Sequence, residues 1–408
     1  MLSKLKTIYN EYPKQFWLIA FGVLVSSAGS SIIWPFQLIF ISRQLESPIT
    51  TVASLISIST FTGLLVSFVG GFIADRLGRK PVMFIAQAAH GLAYILMGRA
   101  DSYLAFLLPM TIMGAAMPFH AVGSDSMMAD MIPPQDRTNA YSVLRMINNA
   151  GIAIGPAIGG FLVSRSYTLA FYAAASGMAM YSLLLLFLVR ETLHKKNAPA
   201  QGQEKAETFG GYGRVLKDAD FIRHVFVIAL GMIAPLMMWT LLAVYTKDNY
   251  GLPEYLYSWL PITNALMCVF VQYFVTMFTR HRRNESMIAL GMFIYAVGVG
   301  SVAFMSSFWG FLLSMILMTF GELTLIPTAT TYVANRAPED LRGRYMTLYW
   351  LTWGLARALA PVIGGYLNDA ISPRAIWIGG LLLGLVSTAA LVMMNRNSQV
   401  ALSKSPAG

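Results

Sequence analysis

The sequence is short of almost everything a water-soluble enzyme uses. It has one cysteine in 408 residues, Cys268, so no intramolecular disulfide and no cysteine-built metal site is possible. Because Cys268 lies in an apolar stretch, it reads as a small buried hydrophobe. Charged residues make up only 12% of the chain. No G-x-x-x-x-G-K-S/T loop cradles a nucleotide phosphate, no H-E-x-x-H offers a zinc site, and no G-x-S-x-G marks a nucleophile. Neither an enzyme nor an ATP-driven pump is expected. No cofactor is expected, and gradient coupling is expected rather than ATP hydrolysis.

What is present is apolar length. Hydrophobic residues make up 56% of the chain and the mean hydropathy is +0.59, more than a soluble core can use. A bilayer core of about 30 Å needs a helix of about twenty residues. Twelve runs reach that length: Gln15–Ile41, Thr51–Ala74, Pro81–Met97, Tyr103–Met128, Ala140–Val163, Leu169–Val189, Val225–Val244, Tyr257–Phe278, Met287–Met305, Phe308–Ala334, Tyr345–Leu367 and Ile376–Met394. The first is too long for a removable signal peptide, lacks a small-residue cleavage site, and is expected to stay as a helix. The expected fold is an all-α polytopic membrane protein with twelve transmembrane helices in two pseudo-symmetric six-helix bundles.

A net charge of +10 invites a nucleic-acid reading until the cations are placed. With the N-terminus cytoplasmic, twenty-two of the 29 Lys and Arg fall on that side, five on the other, and Arg145 and Arg357 inside helices. This is the positive-inside bias, so the charge reports topology and no nucleic-acid partner is expected. Both termini are expected in the cytoplasm. The one long polar stretch reads as a cytoplasmic linker, 190–221, between bundles at 1–189 and 222–408 with a short tail. An ungapped repeat supports the split: at an offset of 205, Pro133, Arg137, Pro156, Gly159 and Gly160 meet Pro338, Arg342, Pro361, Gly364 and Gly365. Parallel six-helix repeats are how many secondary transporters build two halves around a central site.

Three motifs carry a family resemblance. G-F-I-A-D-R-L-G-R-K-P-V-M, Gly71–Met83, resembles the signature loop of the major facilitator superfamily at Gly71, Asp75, Arg76, Gly78, Arg79 and Lys80. G-I-A-I-G-P-A-I-G-G, Gly151–Gly160, resembles the fifth-helix motif of its exporter branches. Gly29 through Pro35 resembles part of the drug:proton antiporter pattern, with Leu38 where a second proline is usual. The resemblance covers essentially the whole chain. It implies a transporter that exports amphipathic or lipophilic compounds against protons from the plasma (inner) membrane. Many such exporters carry a coupling arginine four residues before a glycine resembling Gly114; here that place holds Met110.

The motifs also have physical readings of their own. Asp75, Arg79 and Asp130 are expected to form a charge latch at the cytoplasmic face, the carboxylates being favoured beside helix N-termini; alternatively, Arg76, Arg79 and Lys80 only anchor topology. Gly151, Gly155 and Gly159 share one helix face where a second helix can approach closely, and Pro156 removes one helical donor. The corresponding loop of the second half has decayed to T-M-F-T-R-H-R-R.

Ionisable residues inside the spans are the best site candidates, since charge in hydrocarbon faces a cavity or a partner. Glu322 and Arg357 fall near mid-depth; Asp125 and Arg145 share a shallower level. Two depth-matched acid–base pairs, one per half, are expected to serve proton coupling. Alternatively Arg145 snorkels to the surface or ties two helices together. Asn148 and Asn149 share the Arg145 face, and with Met117, Trp239 and Trp350 are candidate cavity residues. His90 and His120 are expected to be satisfied inside the bundle. The expected partners are a small-molecule substrate, protons and the lipid bilayer, with the chain as a monomer. An uptake symporter or metabolite exporter is the alternative, and a transporter-like sensor or lipid translocase the next.

Overall fold

The computed structural model describes residues 12–133, 136–193, 212–338 and 341–404, and the chain is α-helical throughout them. The long helices, in order, are α1 (Lys14–Leu45), α2 (Ile49–Leu77), α3 (Arg79–Met97), α4 (Tyr103–Met131), α5 (Arg137–Arg165) and α6 (Tyr167–Phe187). They continue as α7 (Ala219–Tyr250), α8 (Glu254–Phe270 with Gln272–Thr279), α9 (Asn284–Ser301), α10 (Phe308–Arg336), α11 (Arg342–Ala370) and α12 (Ala375–Lys404). Each of the twelve apolar runs is thus helical. Among the described residues nine helices are long and apolar enough to cross a bilayer, or ten with the bent α8 counted as one; α3 and α11 fall short of that measure. The molecule is an all-α polytopic membrane protein. Most of the expected linker lies outside the described residues.

Helices dominate because a backbone in hydrocarbon must satisfy its own N–H and C=O groups. Departures from regularity have local causes. Pro35 lacks an N–H, and α1 tightens into a 3-10 turn over Trp34–Phe36 there. The two parts of α8 meet at 55° beside Val271, where Gln272 donates to the Leu323 carbonyl at 3.2 Å.

The contacts divide the chain into two units. Unit 1 holds 12–47, 54–193 and Leu252–Ala265; unit 2 holds Pro48–Ala53, 212–251 and 266–404. In unit 1, α1 packs on α5 and α6, while α3 packs on α4 and α6. In unit 2, α7 packs on α11 and α12, while α9 packs on α10 and α12. Each pair in the second unit is its counterpart six helices on. One core cluster of unit 1 gathers Phe16 and Ile19 of α1, Met83 of α3, Met127 and Met128 of α4, and Leu184 and Leu185 of α6.

Lipid tails are as apolar as leucine, so these helices adhere through close packing rather than through the hydrophobic effect. Small residues supply it. A Cβ at Gly155 would lie 2.6 Å from the Ala28 carbonyl oxygen and overlap Ser31, and one at Gly151 would lie 2.8 Å from the Leu24 oxygen. A Cβ at Gly159 would overlap Ile32. The expected small-residue face of α5 is therefore seated on the backbone of α1. In unit 2, Gly298 and Gly321 hold α9 and α10 together: a Cβ on Gly321 would lie 2.6 Å from the Tyr295 nitrogen.

The obstacle at Gly155 is backbone, which cannot rotate aside. Gly155→Ala should therefore separate α1 from α5 and destabilise the protein by about 1–3 kcal/mol, read as a lower melting temperature in detergent. Gly213→Ala, with nothing within 4 Å of the new methyl group, should leave it unchanged.

Candidate functional site: charge clusters at the helix ends and a mid-helix carboxyl

The signature loop folds around Arg79. Gly78 stands between α2 and α3 at φ 104°, a backbone conformation that favours glycine. The Arg79 guanidinium reaches Asp75 Oδ1 at 3.0 Å and the Ala74 carbonyl at 3.2 Å. Its Nε lies 3.2 Å from Asp130 Oδ2, within ion-pair range but outside hydrogen-bond alignment. The structure therefore brings Asp75, Arg79 and Asp130 together inside unit 1. Arg76 lies over the Phe72 ring, 4.3 Å from its centroid, and Gly71 is within α2. Lys80 donates to the Leu186 carbonyl at 2.8 Å.

A residue the sequence reading passed over completes this cluster. Gly78 offers α3 no side-chain cap. Glu191, just after α6, accepts from the Arg79 N–H at 3.2 Å and the Lys80 N–H at 3.1 Å. Thr192 Oγ1 donates to Asp130 Oδ2 at 3.0 Å. The first residues of the expected linker are thus bound to unit 1. The signal was present: a helix beginning Gly-Arg-Lys has free N–H groups and no oxygen of its own to meet them.

Unit 2 carries a different cluster. Asp218 caps α7 by accepting from the Phe221 N–H at 3.1 Å, and Arg336 at the end of α10 grips the same carboxylate at 2.7 and 3.1 Å. Tyr345 at the start of α11 donates to it at 3.0 Å. Burial alone would raise this carboxyl's pKa, but the hydrogen bonds from Arg336, Phe221 and Tyr345 outweigh it and hold the group below the usual carboxylate range.

At the opposite ends of the helices the internal repeat acquires a structural meaning. In unit 1 a Cβ at Gly160 of α5 would lie 3.0 Å from the Tyr255 Cα; in unit 2 one at Gly365 of α11 would lie 2.8 Å from the Thr50 Cα. The offset of 205 that carries Gly160 to Gly365 also carries Thr50 to Tyr255. Each contact has a carboxylate beside it. Asp369 accepts from the N–H groups of Ile49 and Thr50 at 3.3 and 2.8 Å, capping α2. The buried Glu254 accepts from Tyr167 at 3.2 Å and faces Arg43 at 3.7 Å.

The expected depth-matched pairs do not meet. Glu322 sits at the midpoint of α10, half-buried, where Gly321 brings α10 against α9 at Tyr295. Glu322, Cys268 and Tyr349 are the electrostatic neighbours of Tyr295, and no ion pair joins Glu322 to Arg357. Arg357 is instead exposed on the α11 face that also bears Trp350 and Trp353, whose rings are 5.7 Å apart. Asp125 is exposed, with Tyr141 donating to its main-chain carbonyl at 3.2 Å, and Arg145 is exposed without pairing to it. Equal depth does not fix the direction in which a side chain points.

Of the other candidates, Met117 is exposed, and Asn148, Asn149 and Trp239 are half-buried. Pro156 is buried inside α5. The two histidines correct an expectation. His90 packs on Tyr94 and His120 on Tyr181, with ring centroids 4.9 and 5.4 Å apart, but neither Nε2 finds a hydrogen-bond partner. The same holds for Gln87 Oε1, Tyr181 Oη and Ser182 Oγ, so α3, α4 and α6 enclose polar atoms they leave unmatched.

Comparison with known proteins bears on what this arrangement serves. The model of the Major Facilitator Superfamily matches residues 19–361. The chain is 24% identical over 359 residues to a Na(+), Li(+), K(+)/H(+) antiporter of Planococcus maritimus, covering 81% of this chain and 84% of that protein. It is 23% identical over 383 residues to the quinolone resistance protein NorA of Staphylococcus aureus, covering 91% and 95%. Among solved structures, the nucleoside transporter NupG superposes with a TM-score of 0.75 at 13% identity, covering 94% of this chain and 99% of that one.

Two outcomes follow from the charge clusters. Glu191→Gln should loosen the cap of α3 by about 1 kcal/mol, seen as faster hydrogen exchange at Arg79 and Lys80 than in the parent. Asp218 has a lower pKa folded than unfolded, so its contribution is present above the unfolded value and lost as pH falls through the folded one. The melting-temperature gap between parent and Asp218→Asn should be constant from about pH 7 to 5 and should close below about pH 4.

Proposed function

This chain belongs to the Major Facilitator Superfamily, and from that premise we propose that it is a proton-coupled exporter of amphipathic or lipophilic small molecules, working by alternating access. It is a secondary active transporter of small molecules rather than an enzyme. The export reading draws support from the glycine face of α5, which resembles the exporter motif, and from relatives that include a quinolone resistance protein and a cation/proton antiporter. The proposed placement is the plasma (inner) membrane of a cell, with both termini cytoplasmic and the chain acting as a monomer. In this orientation the Arg79 cluster lies on the cytoplasmic side, where it serves as the latch. The Asp369 and Glu254 contacts lie on the outer side.

One observation carries the coupling assignment: Glu322 is a carboxyl at the centre of an apolar 29-residue helix. A carboxylate at that depth is costly in its charged form unless partnered, and a movement that changes its surroundings changes its proton affinity. That is the property a proton carrier needs. Asp125, Arg145 and Arg357 are the other groups proposed for coupling, and all three are exposed on their helices. The Asp369 carboxyl does not serve as the outer proton sensor. Burial would raise its pKa, but the hydrogen bonds from Thr50, Asn368 and Ile49 hold it below the usual range, leaving it charged in mildly acidic surroundings.

The alternative is uptake by symport, and the assay separates the two. In inverted vesicles with an imposed pH gradient, the parent should concentrate a lipophilic cation; an uptake symporter would drive flux the other way. Glu322→Gln should abolish uphill accumulation while exchange without a gradient persists, and Glu322→Asp should retain part of the coupling. Accumulation by Glu322→Gln as steep as the parent's would move the assignment to Asp125.

A further inference from the structure

A groove of about 440 Å³ lies on unit 2, between α9 and α12. The two helices run antiparallel with Gly300 against Leu381 and Gly384 against Ala296, which sets Ser286 beside Asn395 and Phe293 nearer Thr388. The groove is therefore graded along its length. At one end Ser286, Asn395 and Arg396 line it; toward the other its walls are Leu290, Phe293 and Val392. Leu290, Phe293 and Val392 are exposed large hydrophobes.

The polar end has three features that suit an anion. Arg396 supplies the charge. Asn395 is only 9% exposed and lines the groove, where its amide can donate. The first turn of α9 begins at Asn284 behind Arg283, with no side-chain cap, so its N–H groups and the positive end of its dipole are free. The nearby acid, Glu285, acts electrostatically on His224 and Tyr332, on the α7 and α10 side of α9 rather than the groove side.

We propose that this groove binds one anionic phospholipid of the cytoplasmic leaflet, its phosphate held by Arg396, Asn395 and Ser286 and an acyl chain lying along Leu290, Phe293 and Val392. The shape excludes a purely ionic ligand, because most of its length is apolar and faces hydrocarbon. A cation at this level attracts an anionic headgroup through the negative surface potential of that leaflet. The proposal rests on the cytoplasmic orientation given above but not on the direction or coupling of transport.

Lipid retention tests it. The full-length parent, Arg396→Glu, Asn395→Leu and a control, Arg282→Glu, are reconstituted in phosphatidylcholine with and without phosphatidylglycerol, re-solubilised, and their bound lipid counted by native mass spectrometry. Arg282 lies over the Phe278 ring, off the groove, so its reversal changes charge without touching the site. The parent and control should retain phosphatidylglycerol, and Arg396→Glu should retain about tenfold less. Asn395→Leu should fall between them. Melting temperatures in phosphatidylcholine alone identify any variant that is merely unfolded, and Arg396→Gln replaces Arg396→Glu if it is. Equal retention by parent and Arg396 variant overturns the proposal. Release of the lipid by inorganic phosphate alone reassigns the site to a free anion and overturns it as well. Neither readout involves transport, so failure here is distinct from failure of the exporter assignment.

Discussion

The constraint on which the rest depends is the absence of water in the bilayer core. It obliges every backbone group to bond within its own helix, and it removes the force that would push apolar helices together. What remains is contact at short range. The glycines of α5 against α1, and of α9 against α10, let backbones approach to distances that any side chain would forbid. Two charge clusters gather at the helix ends, where Arg79 and Asp218 each collect partners from several helices.

The helices and the small-residue face were legible in the sequence because both are local properties. Apolar length marks a span wherever it occurs, and glycines four apart share a face whatever lies opposite. The ends of the helices were less legible. Glu191 stands more than a hundred residues from the N–H groups it caps, and Asp218 gathers a guanidinium and a phenol from beyond residue 330. Sequence spacing carries no information about such partners. Asp125 with Arg145, and Glu322 with Arg357, fail for a related reason: counting residues from a helix end gives depth, and a contact also needs the azimuth of each side chain.

The two units share a pairing pattern but differ in how they are secured. Unit 1 ties α2, α3 and α4 together through the Arg79 guanidinium and adds the segment after α6 through Glu191 and Thr192; unit 2 ties α7, α10 and α11 through one carboxylate. The contacts at Gly160 and Gly365 obey the repeat down to the residues they touch. Similarity persists there because no side chain can replace hydrogen at either glycine. Elsewhere different side chains can do the same work, and the two sequences have drifted apart.

The bend in α8 gives the single cysteine a use that its chemistry does not suggest. Cys268 is partly accessible and stands three residues before Val271, where the helix changes direction by 55°. A spin label or fluorophore placed there would sit within one helical turn of the break. Because the chain holds no second thiol, the natural protein is already a singly addressable reporter of how α8 straightens or folds during turnover.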